Sequence, residues 1–66
     1  GAHVLIAMIA SAMKAMAGDE AASIAWASNV RERNPALTRD DFFRSFPIKV
    51  AGARSRFSEA LARRGF

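Results

Sequence analysis

The chain contains no cysteine and no tyrosine, only two prolines and four glycines, and a single histidine. Without cysteine there can be no disulfide, no thiolate zinc site and no thiol nucleophile, which fits a reducing, cytoplasmic setting. The histidine is His3, inside an N-terminal Gly1-Ala2-His3 that is similar to the remnant left by cleaving an affinity tag. Residues 1–3 are therefore set aside from functional reasoning, and the remaining 4–66 are expected to be one module of a longer protein. Serines 11, 23, 28, 45, 55 and 58 are then left with no base to activate them. Valine and isoleucine are scarce, and no alternating apolar run is long enough for a strand. The longest apolar stretch, residues 4–17, is too short to span a bilayer and contains Lys14. A glycine-rich phosphate loop and a metal-ligand spacing are both missing. Asp40 and Asp41 are adjacent, but as acids opening a helix rather than as a catalytic pair. No catalysis, cofactor, metal or membrane association is expected.

What the chain does have is alanine and helical periodicity. Its apolar share is 52% of 66 residues. A chain this small buries only about 60% of its unfolded surface, so its stability amounts to a few kcal/mol. The pattern predicts an all-α, compact four-helix domain with helices at about 4–17, 20–33, 39–46 and 50–64. In the first, Leu5, Met8, Ile9, Ala12, Met13 and Met16 form the apolar face, with Ala7, Ala10, Ser11 and Lys14 behind. This helix is expected to be central and buried, its methionines filling the core. Gly18 stops it, and Asp19 caps the second helix, where Trp26 is the expected core anchor. Asn34-Pro35 breaks the second helix. Leu37-Thr38-Arg39-Asp40-Asp41-Phe42 then reads as a capping box, Thr38 to Asp41, with Leu37 stapled to Phe42. Phe42, Phe43 and Phe46 point inward from the short third helix, Arg44 points outward, and Pro47 ends it.

The fourth helix turns Val50, Ala53, Phe57, Ala60 and Leu61 inward, and Gly65-Phe66 closes it in a Schellman motif. Residues 1–48 hold five cations against five acids. Residues 49–66 hold Lys49, Arg54, Arg56, Arg63 and Arg64 against Glu59 alone, so the whole net charge of +4 lies there. Lys49, Arg56 and Arg63 are spaced by sevens and are expected to line up as a basic stripe. A short helix, a Pro-containing connection and a longer basic helix make a helix-turn-helix-like pair. Eight of the ten cations are arginine, whose planar fork suits phosphate and guanine. The leading expectation is thus nucleic-acid binding, to DNA before RNA, through Lys49, Arg54, Arg56, Arg63 and Arg64. The alternative is a protein-docking or oligomerisation bundle, because the first helix carries more Met and Ile than a small bundle's outer helix needs.

Ala53-Arg-Ser-Arg-Phe-Ser-Glu-Ala-Leu-Ala-Arg-Arg-Gly-Phe66 resembles the second helix of the winged-helix ends of phage- and plasmid-type replication primases. Asn29-Val-Arg-Glu-Arg-Asn-Pro-Ala-Leu-Thr-Arg-Asp-Asp41 is similar in texture to the helical domains that follow primase catalytic cores. The resemblance implies an accessory domain of a replication protein, with template binding at Arg54, Arg56, Arg63 and Arg64 and catalysis elsewhere in the parent chain. The family's β-wing has no counterpart among these residues.

Overall fold

A computed structural model describes residues 2–66, with side chains from His3 onward; Gly1, part of the suspected tag remnant, lies outside the described residues. The chain is all-α: α1 (Ala2–Met16), α2 (Glu20–Arg33), α3 (Arg39–Ser45) and α4 (Ala51–Arg63), with no strand among the described residues. α1 packs against both α2 and α4, and α3 packs against α4. The molecule measures 17 Å along its thinnest axis. That accommodates about two helix layers at the usual 8–10 Å spacing.

The helix ends obey local chemistry. Gly18, at φ +84°, closes α1, its amide donating to the Ala15 carbonyl while the Asp19 amide donates to that of Lys14. This is the two-bond Schellman closure, which needs a left-handed residue at that point. Asp19 then accepts from the Ala22 amide and opens α2. Thr38 and Asp41 form a complete capping box, each side chain accepting from the other's backbone amide. The shorter Asp reaches as well as the usual Glu. Gly65, at φ +91°, and Phe66 repeat the Schellman closure on α4, donating to Ala62 and Leu61.

The core is built from Val4, Met8 and Ala12 of α1, Val30 of α2, Phe42 and Phe43 of α3, and Ala60 and Leu61 of α4. Phe42 is its centre, with the Phe43 ring edge-on at 5.2 Å and the Phe57 ring stacked at 5.8 Å. Such offset and edge geometries are the ones aromatic quadrupoles favour.

Four expectations about faces are corrected. In α1 the buried face includes Ala15 and, against expectation, Ala7 and Ser11, whereas Met13 is 56% and Met16 39% exposed. The reason is size. Ser11 donates its hydroxyl to the Ser23 carbonyl at 2.9 Å, and Ser23 donates back to the Ser11 carbonyl at 2.8 Å. Side chains as short as serine make these bonds only where two helix backbones run close, with alanines above and below. Bulky Met13 could not fit there. α1 is accordingly the helix on which α2 and α4 assemble, but it is not enclosed. Second, Trp26 is 41% exposed rather than an anchor of the core, because the face of α2 that meets α1 is made of Ser23, Ala27 and Val30. Third, α4 begins at Ala51 behind an N-cap Val50 in extended geometry, so Lys49 precedes the helix. Fourth, Val50 is 70% exposed and contributes nothing to the inner arc.

Candidate functional site

The five cations expected as a binding face meet different surroundings in the fold. Phe57, Ala60 and Leu61 define the inner side of α4, and Arg64, seven residues after Phe57, falls on the same side. Its side chain is only 11% exposed and its Nη2 donates to Glu20 Oε2 at 2.6 Å. Arg63 approaches the other oxygen of the same carboxylate at 3.6 Å. Arg54 lies about 160° around the helix axis from Arg56. Its guanidinium sits 4.1 Å from the Phe43 ring centroid, a cation–π contact. Arg56 and Lys49 are exposed and have no charged partner among the described residues. Lys49 lies outside the helical register of α4, whereas Arg56 and Arg63, seven residues apart, stay in phase along one face, with Arg63 also facing Glu20.

What the fold brings together instead is a cleft between α2 and the end of α4. Glu20, Ile24, Ala27 and Arg31 recur at helical spacing along one edge of α2. The last turn of α4 delivers Arg63 and Arg64 across that edge. Ile24, Ala27, Arg31, Arg63 and Arg64 line a cleft of about 200 Å³. Arg31 is held over the Phe66 ring at 4.8 Å, so the Schellman closure of α4 also sets a wall of the cleft. Gly65 suits the left-handed φ of +91°, and a Cβ there would stand 2.6 Å from the Arg31 guanidinium and push its flexible end aside. The Nε of Arg64 is buried and lacks a hydrogen-bond partner among the described residues.

A second surface feature is the outer face of α1. Ile6 and Met13 are each 56% exposed, and Met16 is close to them in phase. Ile9 is half-buried alongside. Ile6, Ile9, Met13 and Met16 follow the three-four-three spacing of a helix seam.

No family model, curated protein or solved structure matches this chain. Among the described residues, no cluster of His, Cys, Asp or Glu could hold a metal ion. No helix of the described residues is long and apolar enough to cross a membrane. The Asp41 carboxyl has a lowered pKa. It is held below its ordinary value first by the Thr38 backbone amide, then by the Thr38 hydroxyl, with Arg44 contributing least. This is the chemistry of a helix cap.

The α1 seam was partly legible: the excess of Met and Ile was visible, but its direction was not. The α2–α4 cleft was missed. The signal that could have found half of it is the phase of Arg64, which shares a face with Phe57 and so must be buried or paired. Its partner Glu20, 44 positions away in sequence, carried no such signal.

Proposed function

We propose that this chain is a protein-docking helical module that self-associates through the outer face of α1. The observation that carries the reading is the bare Ile6–Met13–Met16 seam on a helix whose opposite face is already filled. An isolated exposed Leu or Met is unremarkable, but a helix apolar on both sides is built to be covered on both sides. The occupant is a second copy presenting the same seam, since a two-fold contact places one face against itself and methionines repack readily around each other. Sedimentation over a range of concentrations tests this. The expected result is a reversible dimer that becomes a monomer in the Ile6→Glu, Met13→Glu double variant, with helicity unchanged because both sites are exposed. A wild-type chain that stays monomeric at the highest concentrations overturns the proposal.

Nucleic-acid binding is a second reading, supported by the net charge of +4 and by exposed Lys49 and Arg56, which have no charged partner among the described residues. In that reading the chain is a cytoplasmic accessory domain of a replication primase, as the resemblance of its fourth helix implies, and the α3–α4 pair is the DNA-facing element. With Arg63 and Arg64 sharing the Glu20 carboxylate, phosphate contacts by Lys49 and Arg56 alone give a log–log salt slope of about −2 on duplex DNA. Binding that does not respond to salt removes this reading.

A further inference from the structure

The α2–α4 cleft has no role in either surface discussed above, and its chemistry is specific. Three guanidinium groups, Arg31, Arg63 and Arg64, line one concavity whose remaining lining is apolar, Ile24 and Ala27. One carboxylate, Glu20, faces two of them, leaving two positive charges without a counter-charge. Arg64 Nη2 is taken, but its Nε–H is desolvated and has no acceptor among the described residues. A buried donor without an acceptor is uncommon in folded proteins, and where it occurs it asks for a missing partner. Arg31 is held in place from below by the Phe66 ring, and Gly65 leaves room for it.

We propose that this cleft binds a phosphate monoester, its oxygens between Arg31, Arg63 and Arg64 and its organic group against Ile24 and Ala27. The charge count favours phosphate over carboxylate. A monoester carries about −1.5 to −2 at neutral pH, close to the two uncompensated positive charges, and offers three acceptor oxygens. A carboxylate leaves one cation unmatched and supplies fewer acceptors for three separate forks. The cleft, about 200 Å³, has room for more than the phosphate alone, and Ile24, 53% exposed, is a large apolar side chain that the free protein leaves uncovered there.

The test is a two-dimensional NMR titration of the full chain, following the arginine Nε–H signals and the Ile24 methyl groups. Phenyl phosphate is the main probe; inorganic phosphate, benzoate and sodium chloride at matched ionic strength are the comparisons. Saturable shifts of Arg64 Nε–H and Ile24 with phenyl phosphate are expected, weaker with inorganic phosphate and at least tenfold weaker with benzoate. Arg31→Gln, at an exposed position that leaves the core intact, is expected to lower affinity at least tenfold. Gly65→Ala, which pushes the Arg31 guanidinium aside, should act in the same direction. Phosphotyrosine and a nucleoside 5′-monophosphate separate a peptide-borne from a nucleotide-borne phosphate, and saturable binding of either supports the site. Shifts reproduced by sodium chloride, equal binding of benzoate, or full affinity in Arg31→Gln overturn it. None of these readouts depends on whether α1 self-associates.

Discussion

Ser11 and Ser23 illustrate how much two small side chains decide. Each hydroxyl is fully buried, and each is satisfied by the carbonyl of the other's helix. A buried hydroxyl without such a bond costs about 1–3 kcal/mol, so the pair is stable only in this one alignment of the helices. Ser11→Ala is expected to lower unfolding free energy by about 1 kcal/mol, the net worth of one hydrogen bond. Ser11→Leu forces a large side chain between closely packed backbones and is expected to cost about 3 kcal/mol, most of a small domain's margin. Urea denaturation of the two variants checks the ordering, and a tolerated leucine contradicts the close approach. The same logic explains why Met8 and Ala12 turn inward as expected while Met13 and Met16 do not and Ser11 takes an inner position. Polarity ranked Met13 above Ser11 for burial. The interface selected for size, and a helix that is apolar all round offers no contrast from which to read its orientation.

At the scale of single elements, the local signals were reliable because their physics is local. Gly18, Asp19, the Thr38–Asp41 box and Gly65-Phe66 satisfy backbone groups within a few residues of themselves, and nothing elsewhere in the fold alters them. The α3 cap makes a further prediction. Thr38→Ala removes one side of the box and is expected to cost about 1 kcal/mol. The Asp41 carboxyl, held below its ordinary value of 3.8, stabilises the folded state when ionised. Its contribution is complete above that ordinary value and is lost as pH falls through the lower folded value. The melting temperature of Asp41→Asn should therefore lie below that of the parent at neutral pH and converge with it in acid. A constant gap down to the lowest pH would show that the carboxylate is not what matters there. Helix phase was also legible in α4, where Phe57, Ala60 and Leu61 turn inward as expected. What was not legible was where the charged residues of α4 would find partners, since Glu20 and the Phe43 ring belong to other helices.

For the molecule as a whole, the tie between the start of α2 and the end of α4 joins two elements that otherwise touch little. Glu20 is half-exposed and Arg64 is nearly covered, so the pair lies between a surface bridge and a buried one. Surface bridges contribute up to about 1 kcal/mol, and breaking a fully buried pair costs about 3–5 kcal/mol. Glu20→Gln is expected to fall between, at about 1–2 kcal/mol, and to loosen the last turn of α4 before the rest unfolds. Hydrogen exchange at the amides of Ala62 to Phe66 reads that loosening directly. Unchanged exchange there would mean the Schellman closure alone secures the end of α4.

The serine pair also fixes something beyond the contact it makes. Because both hydroxyls cross to the opposite helix, α1 can neither turn about its own long axis nor slide past α2 without losing both bonds together. The bearing of Ile6 and Met13 is thereby indexed from the other side of the same helix, and any visitor to that flank meets an orientation already set before it arrives.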